Sequence, residues 1–158
     1  MDVSPPRVVF DCNILFQALI SSNGPSHRCF RVASEGRTAL FVSEFIFSEL
    51  REVAVRQELS EKFALDAQRV ERFIKEARKV AHCISHVSDA YQHPFDPKDS
   101  HYINLALAAN AKLVVSRDNH LLMLNNAVRP EGRDFQQRFP DLRILDPSRF
   151  LKELDRTP

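Results

Sequence analysis

The stretch RVVFDCNIL, residues 7–15, decides how the rest of the chain is interpreted. Its residues 8–10 are apolar and either β-branched or aromatic, as is typical of a strand buried in a sheet. A carboxylate, Asp11, follows directly, and Asn13 comes two positions later. Asp11 has two interpretations: it caps the helix that follows, or it belongs to an acidic site at the carboxyl edge of an open α/β sheet.

Composition sets broad limits on the protein. A length of 158 residues predicts a single domain, residues 1–158, with a sizeable core. The net charge of +1 provides no overall field that attracts nucleic acid or a membrane, so any such surface must be local. Three scattered cysteines without C-x-x-C spacing argue against a disulfide framework or a zinc site. Since no membrane span or leader segment is evident, we expect a cytoplasmic protein without a membrane partner.

Strand-like and helix-like segments alternate along the chain, which predicts an α/β fold around a parallel sheet. The predicted strands cover residues 7–10, 39–42, 82–87, 112–116 and 142–145. The predicted helices cover residues 13–19, 26–34, 43–57, 65–81, 99–110 and 147–154, so that a strand and a helix close the chain within 142–155. The sequence contains no G-x-G-x-x-G motif, which argues against a phosphate-cradling loop.

A second acid follows a second core strand. Asp118, in LVVSRD, comes just after the strand predicted at 112–116, as Asp11 comes after the first strand. Parallel strands share their carboxyl edge, so we expect these two carboxylates to lie at the same edge of the sheet. Asp99 begins the helix that leads into this strand. Taken alone, Asp99 is better interpreted as a helix cap.

Glu49 is the acid that the helical pattern turns toward the core. The apolar residues Phe45, Ile46 and Val53 lie three or four positions away from it, and residues at these spacings share a helix face. A buried, unpaired carboxylate is costly. A salt bridge to a buried Arg or Lys is one solution, but the core-like segments offer no evident basic partner. A cation supplied from outside the chain is the other.

Four carboxylates at one edge would repel each other strongly. A hard divalent cation such as Mg²⁺ or Mn²⁺ relieves this repulsion, because it binds carboxylate oxygens, waters and substrate phosphate. A bound ion of this kind also lowers the pKa of a coordinated water. The residues therefore indicate metal-dependent hydrolysis of a phosphodiester.

The order and spacing of these acids resemble the PIN-domain family, the ribonuclease domain of many toxin–antitoxin pairs. VVFDCNIL resembles the opening D-[TS]-N motif of that family, and VSEFIFSELREV resembles its second motif, with Glu49 as the helical acid. DPKDSHYINLALAANAKLVVSRDNHLL resembles the third and fourth motifs, with Asp99 and Asp118 as their acids. The resemblance covers about residues 7–122.

The resemblance implies a three-layer α/β/α sandwich and endoribonuclease activity on RNA. It also implies a cognate antitoxin protein and, often, a homodimer. The residues that carry over as catalytic and metal-binding are Asp11, Glu49, Asp99 and Asp118, with Mg²⁺ or Mn²⁺ as cofactor. Asn13 and Ser116 carry over as polar supports: Asn13 orients Asp11 or a ligand water, and Ser116 hydrogen-bonds a metal-bound water or phosphate.

The sequence departs from the family pattern at three places. Cys12 stands where the family usually has Thr or Ser, and we expect tuning of activity rather than its loss. Asn110 replaces a common glycine at the end of the third-motif helix, where Asn also tolerates the left-handed conformation. The link at 125–141 is longer than usual, and no helix is predicted in it.

Arginines and phenylalanines alternate in this link. They are Arg129, Arg133 and Arg138 with Phe135 and Phe139. Cations beside aromatic rings suit single-stranded nucleic acid, whereas a solvated loop pinned by two phenylalanines is an equal alternative. The candidate substrate-binding residues are Arg117, Arg129 and Arg133. His101 and His120 lie near the acids in sequence. One interpretation is contact with substrate or assistance in proton transfer; the other, commoner for single histidines, is an incidental position.

Other classes of function remain open. A haloacid-dehalogenase-like phosphotransferase also places Asp after a strand, but it needs D-x-D, and the third position here is Asn13. A receiver-type phosphoacceptor domain needs a Lys after a late strand, where this chain has Ser-Arg-Asp at 116–118. A non-catalytic scaffold, stabilised by metal and binding RNA or protein, is the remaining alternative.

Overall fold

The computed structural model describes residues 4–156. Within this range the strands form one five-stranded sheet in the order β3-β2-β1-β4-β5, and each neighbouring pair is parallel. The strands are β1 (Arg7–Phe10), β2 (Ala39–Val42), β3 (His82–Cys83), β4 (Leu113–Val115) and β5 (Arg143–Leu145). The predicted α/β fold with a parallel sheet is confirmed.

Helices cover both faces of the sheet. They are α1 (Cys12–Ile20), α2 (Pro25–Ser34), α3 (Glu44–Ala54), α4 (Gln57–Lys62), α5 (Ala67–Val80), α6 (Ser100–Ala108), α7 (Asn119–Leu122), α8 (Pro130–Arg138) and α9 (Pro147–Arg156). Helix α1 packs against α2 and α3, and α9 packs against α2, while α6 packs over β1, β2 and β4. Because the central strands are covered on both sides, residues 8–10 of β1 are fully buried. The result is the expected three-layer α/β/α arrangement.

The path of the chain through the sheet creates a crevice between β1 and β4. The chain starts in the middle with β1, moves outward through β2 to β3, and then returns to β4 on the other side of β1. In open α/β sheets, ligands bind outside the carboxyl ends of the strands at such a point of reversal. Asp11 and Ser116 are the first residues after β1 and β4. The topology therefore predicts a ligand site at the edge of the sheet where Asp11 lies.

The link at 125–141 is not the irregular segment that the sequence led us to expect. It contains helix α8, which begins with Pro130 in its first turn, a position that suits proline. Gly132 lies so close to the preceding backbone that a Cβ atom there would be 2.0 Å from the carbonyl oxygen of Asn126. Phe135 is 1% exposed, and its ring packs edge-on against Tyr91 at 5.6 Å between centroids. Helix α8 is thus part of the core.

Other element boundaries differ in smaller ways. The helix predicted at 43–57 ends at Ala54, and a separate helix, α4, follows it. The strand predicted at 82–87 pairs with β2 only at its first two residues. Asn110 has a φ of 53°, so the expected left-handed helix end is confirmed. No helix among residues 4–156 combines the length and apolar composition that a membrane crossing needs.

Candidate active site

The structure brings the four predicted acids to one cleft of about 350 Å³ at the carboxyl edge of the sheet. Each acid comes from a different part of the fold. Asp11 directly follows β1, and Glu49 lies on α3. Asp99 directly precedes α6, and Asp118 directly precedes α7. The cleft is therefore assembled from segments far apart in sequence, at the reversal point of the sheet.

Both interpretations of Asp11 hold at once. Its Oδ1 accepts the backbone N–H of Ile14 at 3.0 Å, which caps α1, and its Oδ2 accepts the hydroxyl of Ser116. The side chain is 3% exposed. Burial raises the pKa of Asp11 to about 6, while the bonds from Ser116 and from the backbone of Ile14 and Asn13 oppose that rise. The protein thus holds Asp11 in one orientation, in a buried place that disfavours its charged form.

The two predicted polar supports have different positions. Ser116 is fully buried; its hydroxyl donates to Asp11 and accepts the backbone N–H of Asp118 at 2.9 Å. It therefore links the two acid-bearing segments, and its contact with a metal-bound water or phosphate stays a prediction. Asn13 is exposed at the rim of the cleft. The bond that Asp11 receives from Asn13 comes from its backbone N–H, so orientation by the Asn13 side chain stays a prediction.

Glu49 is positioned by a tyrosine that the sequence analysis did not single out. The hydroxyl of Tyr102 donates to Glu49 Oε2 at 3.0 Å, and its oxygen accepts the backbone N–H of Cys12 at 3.2 Å. Burial raises the pKa of Tyr102 well above its usual range, so the phenol remains a neutral donor. Tyr102 lies three residues after Asp99, a spacing that places both on one face of a helix. That spacing was the available signal.

Cys12 lines the cleft but does not suit nucleophilic chemistry. Its side chain is buried, and burial together with the charges of Glu49 and Asp11 raises the pKa of the thiol to about 12. A thiolate is the reactive form of cysteine. At neutral pH Cys12 is therefore an apolar wall of the cleft.

Asp99 is the acid with the least support from the protein. It is 5% exposed, and among the described residues its Oδ2 has no hydrogen-bond partner. Burial raises the pKa of Asp99 to about 7, and the charges of Asp118 and Asp96 add to the rise. A buried oxygen without a partner is costly. A divalent cation ligated by oxygen would satisfy it, so the donor set of the cleft fits the metal that the sequence predicts.

Two further residues lie at this end of the cleft. Each of Asp96, Asp99, Asp118 and His120 offers a ligand atom, and these atoms lie within 4.8 Å of one another. His120 Nδ1 is 3.5 Å from Asp96 Oδ2 and 3.9 Å from Asp99 Oδ2. His120 therefore lies beside the acids in space as well as in sequence. Asp96 was missed because it stands in a proline-bracketed turn, although its place in DPKD, three residues before Asp99, was a usable signal.

A buried histidine joins the segments that carry these residues. His93 Nδ1 accepts the backbone N–H groups of Phe95 and Asp96, both at 3.1 Å. Its Nε2 lies 2.7 Å from the carbonyl oxygen of His120. Because a carbonyl can only accept, Nε2 must carry the hydrogen, which makes the ring neutral with Nδ1 as acceptor. His93 therefore fixes the Asp96 turn relative to α7.

The other predicted residues lie outside the cleft. His101 Nε2 is 2.6 Å from the hydroxyl of Ser43, and its ring packs on Phe45. The predicted substrate-binding residues Arg117, Arg129 and Arg133 are exposed and do not line the cleft. The cations that do line it among the described residues are Arg56 and Lys98. Neither was singled out from the sequence.

Comparison with known proteins gives a match to a family of sequences and matches to solved structures of similar fold. The sequence model of the PIN domain matches residues 7–120. No curated protein sequence matches the chain significantly. In fold, the chain is similar to the crystal structure of VapBC2 from Rickettsia felis bound to a DNA fragment from their promoter, with a TM-score of 0.55.

That structural match covers 89% of this chain and 98% of the other chain, at 11% sequence identity. An identity this low supports a common fold and nothing finer. The sequence match carries more, because it spans most of the chain and includes Asp11, Glu49, Asp99 and Asp118. This chain is a member of the PIN-domain family.

Proposed function

We propose that this protein is a metal-dependent endoribonuclease that hydrolyses RNA phosphodiester bonds. Asp11, Glu49, Asp99 and Asp118 would hold Mg²⁺ or Mn²⁺. The observation that carries the proposal is the unpartnered, buried Oδ2 of Asp99 in a cleft lined by carboxylates. Membership of the PIN family supports it, because PIN domains are generally metal-dependent nucleases.

The protein's own residues prepare this cleft for a cation. A bound divalent ion supplies a Lewis acid and a water of lowered pKa. Ser116 and the first turn of α1 hold Asp11, and Tyr102 holds Glu49. The backbone N–H of His120 donates to Asp118 Oδ1 at 2.8 Å. These bonds fix the carboxylates before a substrate arrives, so little reorganisation is needed at the moment of reaction.

Phosphate recognition falls to the cations at the cleft. Acidic walls repel a polyanion, and neutralisation of RNA phosphates by Lys or Arg supplies most of the affinity for nucleic acid. Arg56 and Lys98 line the cleft and would contact phosphates of the bound strand. Arg117, Arg129 and Arg133 stay predictions for contacts farther along the strand. Phe135 is buried and is therefore unable to serve as a platform for bases.

A protein partner is part of the proposal. The structurally similar VapBC2 is a complex bound to promoter DNA. We include a cognate antitoxin and a homodimer as predicted partners of this chain. Light scattering of the purified protein tests the dimer. Co-purification with the product of an adjacent small reading frame tests the antitoxin.

The activity is tested with purified protein, single-stranded RNA and either Mn²⁺ or Mg²⁺. We expect metal-dependent cleavage by the wild type and a loss of at least about a hundredfold in Asp99→Asn, since even residues that only support metal ligands change such sites by about ten- to a hundredfold. Asp141→Asn is the matched control, because Asp141 is exposed and outside the cleft. Binding of Mn²⁺ and RNA without cleavage would support the non-catalytic scaffold instead.

A further inference from the structure

We infer that Asp96 and His120 bind the metal directly together with Asp99 and Asp118, and that the imidazole makes the cleft select transition-metal cations over Mg²⁺. This inference rests on the proposed metal-dependent function. It adds two ligands and a metal preference to the site.

The buried carboxylate oxygen that lacks a hydrogen-bond partner lies at one end of the cleft. At the β1 end the carboxylates already accept bonds from the protein: Asp11 from Ile14 and Ser116, and Glu49 from Tyr102. At the other end Asp99 Oδ2 is buried and has no hydrogen-bond partner among residues 4–156. A cation gains most where a carboxylate oxygen is both desolvated and unpaired. That oxygen faces His120.

The spacing of the ligand atoms suits one ion. His120 Nδ1 lies 3.5 Å from Asp96 Oδ2, 3.9 Å from Asp99 Oδ2 and 3.9 Å from Asp118 Oδ1. An ion about 2.1 Å from each of its ligands holds neighbouring ligand atoms roughly 3 to 4 Å apart. The three separations from His120 fall in this interval, and all four ligand atoms lie within 4.8 Å of one another. Small side-chain movements are enough to bring the four ligand atoms within bonding distance of one ion.

The backbone around these ligands is already fixed. His93 ties the N–H of Asp96 to the carbonyl of His120 through its ring, so the turn and α7 are held together without a metal. Bonds of this kind around a metal site orient the ligands and raise affinity. His93 itself has no ring nitrogen free for an ion, because both nitrogens are hydrogen-bonded to backbone groups.

The nitrogen ligand sets the preference. Mg²⁺ favours oxygen ligands, retains several waters and dehydrates reluctantly. Imidazole binds first-row transition metals, and affinity for a nitrogen-containing site rises from Mn²⁺ to Co²⁺. A site of three carboxylates and one imidazole therefore favours Co²⁺ most, Mn²⁺ next and Mg²⁺ least.

A protonated His120 paired with the same acids would give the same distances. The two roles predict opposite effects of substitution. Removing a counter-ion increases the negative charge of the cleft and strengthens the binding of every divalent cation. Removing a ligand weakens binding, and it does so most for the metals that favour nitrogen.

The test uses the metal-stripped full chain, with Co²⁺, Mn²⁺ and Mg²⁺ as the probes in calorimetric titrations. We expect His120→Asn to weaken Co²⁺ binding at least about tenfold, Mn²⁺ binding less, and Mg²⁺ binding least. Asparagine places an oxygen near the position of Nδ1, so the variant exchanges a nitrogen ligand for an oxygen ligand. His86→Asn is the matched control, since His86 is exposed and outside the cleft.

Pulsed electron paramagnetic resonance of bound Mn²⁺ provides a readout independent of activity. Coupling to an imidazole nitrogen is expected in the wild type and in His86→Asn, and should vanish in His120→Asn. Tighter binding of all three ions by His120→Asn, or no nitrogen coupling in the wild type, would overturn the inference. Nitrogen coupling in a protein that cleaves no RNA would leave this inference standing and overturn the proposed nuclease function.

Discussion

Helix α3 contributes to two cavities of similar size. Carboxylates face each other in one of them, whereas the charged side chains at the edge of the other form an ion pair. One is the acidic cleft of about 350 Å³, which includes Glu49 and Val53. The other is a groove of about 380 Å³ between α3, α4 and α5, lined largely by apolar side chains. At the edge of the groove Arg51 forms two hydrogen bonds with Glu71, at 2.6 and 3.2 Å.

The difference shows that unmatched charge, rather than volume, distinguishes a chemical site. In the groove Arg51 and Glu71 neutralise each other as an ion pair, so this pair does not call for a charged ligand. In the cleft several carboxylates face each other, and burial raises the pKa of both Asp11 and Asp99. Strong perturbation of titratable groups in a cavity is typical of functional sites. The groove, although slightly larger, is therefore less informative about function than the cleft.

The largest effect on the acidic cleft is expected from substitutions of Asp11. Both Asp11→Asn and Asp11→Ala should reduce metal-dependent RNA cleavage by more than about a hundredfold. The two should differ in stability, because Asn keeps an acceptor for the N–H of Ile14 and a partner for Ser116. Ala removes both, and we expect it to lower the free energy of unfolding by roughly 1–3 kcal/mol. Urea unfolding without metal separates the two effects. Equal stability of the two variants would contradict the capping role.

The second prediction concerns the link between Glu49 and Cys12. Tyr102→Phe removes the donor to Glu49 and leaves the buried N–H of Cys12 without its acceptor. We expect a loss of about 1–3 kcal/mol in the free energy of unfolding and a fall in cleavage of about ten- to a hundredfold. Tyr91→Phe is a matched control within another aromatic cluster. Unchanged cleavage in Tyr102→Phe would show that Glu49 needs no support.

The third prediction is a pH dependence of the metal-free protein. The folded pKa values of Asp11 and Asp99, about 6 and about 7, lie above the unfolded values of about 4. Between these limits the folded state binds more protons than the unfolded state. Stability from these groups is therefore present below about pH 4 and is lost as the pH rises to about 7. Thermal unfolding should show this loss, and Asp99→Asn should reduce it. If the melting temperatures of the wild type and Asp99→Asn respond identically to pH, the assignment of this pH dependence to Asp99 is refuted.

The smallest effect is expected in the groove. Glu71→Gln breaks an exposed ion pair with Arg51, and exposed pairs of this kind contribute little to stability. We expect a small fall in melting temperature, which disappears at high salt because salt screens the wild-type pair. Metal binding should not change. A change in Mn²⁺ affinity would show that the two cavities are coupled through α3.

The main features of the fold and the positions of Asp11, Glu49 and Asp118 were accessible from sequence for a physical reason, whereas Asp99 was added through the resemblance to the PIN-domain family. Buried parallel strands are short apolar runs, and the sheet edge is shared, so Asp11 and Asp118 could be placed together without knowing the packing. Glu49 was identified because helical spacing turns it inward. Each of these arguments needs only local periodicity and one rule of topology.

The remaining features depend on contacts across the chain. The spacing of Tyr102 and of Asp96 from Asp99 was a local signal, but Tyr102 and His93 act through partners that lie far away in sequence. Helix α8 was missed because its apolar residues are few and its key position, Gly132, is explained only by the backbone of Asn126 beneath it. Periodicity does not report such close approaches.

The pairing of β1 with β4 has a consequence for the order in which the protein is made. Val8 pairs with Leu113, so the central strand waits for a partner that is synthesised long after it. A nascent chain that has reached residue 110 already carries Asp11, Glu49 and Asp99, but neither Ser116 nor Asp118. Long-range strand pairing is slow, and chains fold as they emerge from the ribosome. A growing chain therefore has an incomplete cleft until Asp118, about three quarters of the way along the sequence, has been translated. The message and ribosome that produce the chain are exposed to the proposed activity only after that point.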